Sequence, residues 1–127
     1  MTATVKLERL TGEYTVVQLG SVEPIPDWAE GSGFVSISRS DQELSVLCQS
    51  DRVPGDVRQD SGWTCLRLNG PIPLDLAGVL LSVIRPLSEA GIGIFVVSTF
   101  DGDHILVKGD DFARSRELLR DAGHEVN

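Results

Sequence analysis

The stretch GIGIFVVSTFDGDHILVK, residues 91–108, decides the fold that the sequence predicts. It holds two apolar runs that are joined by Asp101-Gly102. Asp-Gly between apolar runs favours a β-hairpin with a two-residue type I′ turn, because both central residues of that turn need positive φ. A turn of this length sets Phe100 opposite Asp103. Since both faces of the hairpin are mostly apolar, we expect it to be central in a sheet and covered on both sides.

The segments on either side of the hairpin give the second half of the chain a β-α-β-β-α-β order. Strand composition, helical spacing of apolar residues and a terminal glycine after each helix define these segments. They are a strand at 63–68, a helix at 75–90, the hairpin, a helix at 112–122 and the start of a last strand at 125–127. This is the order of ferredoxin-like domains.

The first half of the chain repeats a weaker version of the same order. It contains a strand at 14–19, one possible helical turn at 27–30, a hairpin at 34–48 and a polar surface connection at 50–62. Strand 4–10 could supply the missing fourth strand of this half. The predicted fold class is therefore α+β, with two ferredoxin-like (βαββαβ) units at 1–61 and 62–127. We expect the first unit to have shortened helices, and both antiparallel sheets to carry helices on one face.

Composition excludes several classes of partner. The chain has 127 residues and a net charge of −8, which disfavours nucleic acid and anionic membrane surfaces because both require clustered Lys and Arg. No apolar run approaches the roughly 20 residues that span a bilayer, and the N-terminus lacks the form of a signal peptide. The expected location is the cytoplasm.

Catalytic and metal-binding patterns are absent from the sequence. Cys48 and Cys65 stand alone in apparent strands, which is typical of buried reduced thiols, with a disulfide or a reactive thiol as the alternatives. No Cys or His pair has zinc-ligand spacing, and no GxSxG, phosphate-binding Gly-rich loop or HExxH motif occurs. We expect no metal, no cofactor and no enzymatic activity, while a small enzyme that uses one of the two thiols stays an alternative.

The run from Leu76 to Val126 resembles the ACT-domain superfamily, and within it the small bacterial tandem-ACT proteins and the CASTOR-type amino-acid sensors. The pattern AGI-x-I-F-x-x-STF-x-x-D-x-ILV is nearly continuous in this run. Over residues 14–68 the similarity is looser and is limited to strand order, the PDW element and the first hairpin. ACT domains are ferredoxin-like modules that bind amino acids at interfaces between modules and regulate attached or partner proteins.

The resemblance implies a ligand site at the hairpin tip, the helix start and the first hairpin strand of a facing unit. Carried over by motif, the ligand-binding residues are Leu76, Ala77, Gly78, Val79, Gly93, Ile94, Thr99, Phe100 and Asp103. Free N–H groups at a helix start can receive a carboxylate, and Asp103 can accept from an ammonium or guanidinium group. Sensors of this type often carry a hydroxyl residue where this chain has Gly93, so one possible ligand contact is missing.

The resemblance predicts a non-catalytic, regulatory ACT-domain protein. We expect it to bind a small molecule at an interface between units or subunits, and an amino acid is the expected ligand. We expect a homodimer and, beyond it, a regulated partner protein. The alternative is a ligand-free module for protein–protein interaction. Without the resemblance, Asp103 would be an ordinary solvated turn carboxylate.

Overall fold

The computed structural model describes residues 4–69 and 78–127, in which the chain forms eight strands and two α-helices. The residues expected to begin the first helix, 75–77, lie outside the described residues. The strands are β1 (Lys6–Arg9), β2 (Tyr14–Leu19), β3 (Ser36–Arg39), β4 (Leu44–Gln49), β5 (Arg58–Leu68), β6 (Phe95–Ser98), β7 (Asp103–Lys108) and β8 (Glu125–Val126). The helices are α1 (Val79–Glu89) and α2 (Phe112–Asp121).

The first of two compact units comprises Thr11–Trp63. Its strands follow the order β3-β4-β2-β5, and every pair is antiparallel. Two 3₁₀ turns, Asp27–Ala29 and Ser50–Arg52, occupy the places of the two helices in a βαββαβ unit. The expectation of a first unit with shortened helices is confirmed. Its core consists of Val17, Ala29, Leu44, Val46 and Cys48, with Trp28 among the residues packed against them.

The Arg52 side chain holds the Pro- and Gly-rich loop of the first unit in place. Its guanidinium donates from Nε to the Trp28 carbonyl at 3.1 Å and from Nη1 to the Ser32 carbonyl at 2.9 Å. A Cβ atom on Gly31 would lie 2.7 Å from the Arg52 Cζ atom, and Gly31 has a φ of +157°. Glycine is therefore required where the loop passes the guanidinium.

The second unit combines the residues through Leu10 with those from Thr64 onward. Its sheet has the strand order β8-β1-β5-β7-β6. Alternate residues of β1, β5 and β7 face the two helices and form one apolar core with them. The core residues are Leu7, Leu66, Leu68, Val79, Val83, Leu87, Ile92, Ile105, Val107, Phe112, Leu119 and Val126. The predicted arrangement of helices on one face of a sheet is confirmed.

The placement of the N-terminal strand in the first unit was wrong. β1 instead pairs antiparallel with β5, where Leu7 faces Leu68, and parallel with β8, where Leu7 faces Val126. The side chain of Leu7 is fully buried in the core of the second unit. Burial of this apolar residue and backbone pairing on both edges favour the observed position.

Strand β5 is longer than expected, and the prediction of a surface connection through residue 62 was wrong. It begins at Arg58, which faces Gln18 of β2. The side chains from Arg58 to Ser61 are exposed, so no apolar pattern marks this part of the strand. Backbone hydrogen bonds alone are sufficient to extend a strand beside an existing partner.

The central hairpin has a different register from the predicted one. Ser98 faces Asp103 and Val97 faces His104, so the loop has four residues, 99–102. The Thr99 N–H donates to the Gly102 carbonyl at 2.7 Å. No described residue other than glycine has positive φ, so Asp101 does not adopt the type I′ conformation that the prediction required. The register shift of two residues preserves which side chains share a face.

The hairpin is also less central than expected. β7 lies between β5 and β6, and four of its residues, 104–107, are buried. Within the described residues β6 pairs with β7 alone and is thus an edge strand. Its Val96 is 36% exposed, and Phe100 in the following loop is 85% exposed.

Candidate functional site

A cleft with a volume of about 750 Å³ lies in the second unit at the tip of the β6–β7 hairpin. Three chain segments line it: Glu8 from β1, residues 67–69 from the end of β5, and Thr99 with residues 101–104 from the hairpin tip. The volume falls in the range of small-molecule binding sites. Three strands of one sheet, together with the hairpin loop and the residue after β5, position these side chains.

One side of the cleft carries an ion pair between Arg67 and Glu8. The two residues face each other across β5 and β1, and the Arg67 Nη2 atom lies 2.9 Å from the Glu8 Oε2 atom. The side chains are 50% and 45% exposed, respectively. Arginine has five N–H donors, so donors of Arg67 remain available on the open side of this pair.

The part of the cleft that the hairpin tip contributes is acidic. Asp103, at the start of β7, accepts a hydrogen bond from the Ser98 hydroxyl, and Asp101 is exposed in the loop. The Thr99 hydroxyl donates to the Gly102 carbonyl at 3.1 Å, which fixes the loop conformation. Among the lining residues that the structure describes, three carry a carboxylate and one a guanidinium. This excess of negative charge suits a ligand with a cationic group.

The imidazole of His104 adds no positive charge to the cleft at neutral pH. Its side chain is buried, and this burial is the main cause that lowers its pKa. The neighbouring positive charge of Arg67 lowers the pKa further, and the Asp103 carboxylate opposes both effects. The neutral ring can then serve as a donor or acceptor without cancelling the acidic side.

The structure brings two of the predicted site residues into the cleft. Thr99 and Asp103 both line it. Phe100 is not among the lining residues, and its ring is largely exposed to solvent. At the helix start, Gly78 is the exposed N-cap residue of α1 with a φ of +85°, and Val79 is buried in the core.

The other predicted site residues lie elsewhere. Gly93 is exposed, and Ile94 packs against the core of the second unit. Neither they nor Gly78 and Val79 line the cleft. Leu76 and Ala77 lie outside the described residues.

Sequence patterns did not point to Glu8, Arg67 or Asn69, and they favoured His104 as a cross-strand partner of Thr99, with a place in a site as the lesser alternative. Arg67 alternates with buried Leu66 and Leu68, which places it on the other face of β5 but does not assign a role to it. Glu8 lies 59 residues away along the chain. Only the pairing of β1 with β5 brings the two charges together, and that pairing is not visible in local sequence.

Both cysteines are free and buried, as the sequence indicated. Burial raises the pKa of the Cys65 thiol to about 12, and burial is also the main cause that raises the pKa of Cys48. The thiolate is the nucleophilic form of cysteine, and a raised pKa keeps both side chains in the thiol form at neutral pH. In the part of the chain that the structure describes, no cluster of three or more metal-ligating side chains occurs, and no helix is long and apolar enough to cross a membrane.

Two family models match the chain. One, described as an ACT domain, matches residues 58–121. The other describes the N-terminal domain of a protein family and matches residues 12–56. The two matches together cover most of both compact units.

Similar proteins are known in bacteria and in mammals. A protein from Agobacterium tumefaciens with a crystal structure is 52% identical in sequence to this chain. The match covers 99% of this chain and 94% of that protein, and the two structures superpose with a TM-score of 0.95. The human cytosolic arginine sensor for mTORC1 subunit 1 is 27% identical over 68% of this chain, which spans 29% of that protein. The regulatory subunit of aspartate kinase from Thermus thermophilus has the same fold, with a TM-score of 0.64 at 8% identity and coverage of 95% and 99%.

Proposed function

This chain belongs to the ACT-domain family, and from that membership we propose that it is a non-catalytic regulatory protein that binds an amino acid in the hairpin-tip cleft. One observation carries the proposal. Thr99 and Asp103, which the family resemblance assigns to ligand binding, line the same cleft, and charged groups of both signs surround them. An amino acid carries both signs of charge itself.

The charge balance of the cleft supports a ligand with a strong cationic group. Asp103 and Asp101 can both accept from an ammonium or guanidinium group, and a hydrogen bond between charged partners contributes roughly 1.5–3 kcal/mol. The mammalian relatives are named as arginine sensors. Arginine is therefore the first ligand to test, ahead of the neutral and acidic amino acids.

We also propose that the ligand is held where two copies of the chain meet. Gly93, Ile94 and the helix start at Gly78 do not line the cleft of their own chain. Gly93 and Ile94 would contact the ligand from a second copy, as the resemblance implies for a facing unit, and we extend this to the helix start. A homodimer then completes each site.

A thermal-shift panel of the twenty amino acids tests the function directly. A ligand that binds only the folded state at 100 times its Kd adds about 2.7 kcal/mol to the free energy of unfolding, so the melting temperature rises measurably. Asp103→Asn removes the negative charge and keeps the size of the side chain, and we expect it to abolish the shift. Asp110→Asn is the matched control, because Asp110 is exposed and does not line the cleft. It should leave the shift unchanged.

Two outcomes would contradict the proposal. A shift that survives Asp103→Asn would place the ligand at another site. No shift with any amino acid would favour the alternative of a ligand-free interaction module, for which the exposed ring of Phe100 beside an edge strand is the supporting observation.

A further inference from the structure

Arg67 is a cation in the described lining of the cleft, and no family feature explains its place in ligand binding. Among the charged residues that line the cleft, Glu8, Asp101 and Asp103 carry negative charge, so Arg67 is the one permanent positive charge among the described lining residues. A cleft built to hold a simple amine would need no guanidinium. A guanidinium is, however, the side chain best matched to a carboxylate, since it can donate two parallel hydrogen bonds.

We propose that Arg67 receives the carboxylate of the ligand and that Glu8 occupies this guanidinium until the ligand binds; the inference rests on the proposed function. The ligand class that follows is a zwitterion with a free carboxylate, with its cationic end directed to Asp101 and Asp103. Amines and amino-acid amides that lack the carboxylate are discriminated against.

The geometry of the ion pair permits this exchange. The contact is a single one, between Arg67 Nη2 and Glu8 Oε2 at 2.9 Å, and both side chains are about half-exposed. An ion pair of such exposure contributes little to stability, because water screens it and long side chains lose entropy in holding it. A ligand carboxylate that uses two donors of Arg67 can displace the Glu8 carboxylate at small cost.

The surroundings of Arg67 also favour a carboxylate at this position. Arg67 belongs to β5, whose neighbouring residues Leu66 and Leu68 are anchored in the core, so the backbone beneath the guanidinium is fixed. His104 lies near enough for the charge of Arg67 to lower its pKa, and it stays neutral beside the guanidinium. The carboxylates of Asp101 and Asp103 in the same cleft disfavour a dianion relative to a zwitterion.

The test compares arginine with argininamide and agmatine, two probes that keep the guanidinium but lack the carboxylate. Calorimetry with the full chain should give arginine an affinity about tenfold or more above that of either probe. Arg67→Gln should remove this preference by weakening arginine alone. Arg67→Lys should retain part of it, because the positive charge stays while the paired donors are lost.

Glu8→Gln should have the opposite effect. It frees Arg67 from its internal partner, so arginine should bind more tightly, by several-fold, while argininamide and agmatine do not gain. Lys6→Gln is the matched control: Lys6 lies on the same strand, forms an exposed pair with Glu125 at 3.9 Å and does not line the cleft. It should change none of the three affinities.

The outcomes separate this inference from the proposed function. If arginine binds and the preference for the carboxylate survives Arg67→Gln in a folded variant, Arg67 is not the receptor, and the helix start at Gly78 becomes the candidate. Failure of Glu8→Gln to tighten arginine would overturn the role of Glu8. If none of the twenty amino acids binds the unmodified chain, the proposed function fails and this inference fails with it.

Discussion

At the scale of single residues, His104 connects the cleft to the stability of the protein. Burial, followed by the charge of Arg67, lowers its pKa in the folded state from 6.5, the value that it regains on unfolding. As the pH falls below about 6.5, the unfolded chain binds a proton at this residue and the folded chain does not yet do so. The free energy of unfolding should therefore be at its full value above that pH and decrease below it.

His104→Gln should reduce this dependence on pH, because the amide keeps a polar side chain and does not titrate. Urea unfolding at about pH 7.5 and about pH 5.5 measures the effect. We expect the loss of stability between these conditions to be smaller in the variant than in the unmodified chain. Equal losses in the two proteins would mean that other groups control the acid response.

Residues of the cleft differ in how far sequence could identify them. Thr99 and Asp103 stand in one continuous motif, so a local pattern was enough to select both as candidates, and both line the cleft. Arg67 and Glu8 are ordinary strand residues, and a register between distant strands places them side by side. Local sequence specifies which face a side chain takes, but it does not specify which strand lies beside it.

At the scale of elements, the end of α1 offers a test of a single glycine. Gly91 has a φ of +77°, and the Ile92 N–H donates to the Leu87 carbonyl at 3.1 Å, as expected of a Schellman end. A Cβ atom at this position would meet nothing within 4 Å, so backbone strain is the only cost of a side chain. Gly91→Ala should lower the free energy of unfolding by about 1–2 kcal/mol.

Gly93→Ala is the matched control for that variant. Gly93 also has open space around it, but its φ lies outside the left-handed region. Alanine there restricts the unfolded chain, and the expected change is a gain of about 0.4–1 kcal/mol. Urea denaturation measures the free energy of unfolding of both variants. Equal values would show that an alanine at position 91 adopts the positive φ without a cost in stability.

The same elements show what local chemistry can and cannot predict. The end of α1 was predictable because the glycine and its two hydrogen bonds lie within six residues. The loop of the hairpin was not, because Asp101-Gly102 suits a two-residue turn, whereas the Thr99 N–H closes a longer loop with the Gly102 carbonyl. The longer loop spares Asp101 a positive φ, and the strands keep their faces because the shift is two residues.

At the scale of the molecule, the βαββαβ order of both units followed from the pattern of elements, and the position of β1 did not. β1 joins the second unit through an antiparallel pair with β5 and a parallel pair with β8. The parallel pair joins Lys6 to Glu125, at opposite ends of the sequence. A short strand of this kind can add to several edges, and only the burial of Leu7 in a particular core selects one of them.

The edge strand β6 leads to a prediction about assembly. Among the described residues it pairs with β7 alone, and an edge strand followed by exposed apolar side chains, here Val96 and Phe100, offers a template for a second chain. Such pairing would also set the hairpin tips and the Gly93 segments of two copies near a common interface, as the proposed ligand site requires. We therefore expect a homodimer at micromolar concentration in size-exclusion chromatography with light scattering.

Val96→Lys places a charge on this edge and should shift the protein to the monomer, because edge lysines oppose pairing between sheets. Val22→Lys is the control, since Val22 is 92% exposed in a loop of the first unit and makes no part of the edge. It should leave the dimer intact.

A monomeric unmodified chain would exclude the homodimer, whereas a Val96→Lys variant that is still dimeric would mean that the copies associate through a different surface. Because the dimer is proposed to complete the site, monomeric Val96→Lys should also bind the ligand more weakly than the Val22→Lys control.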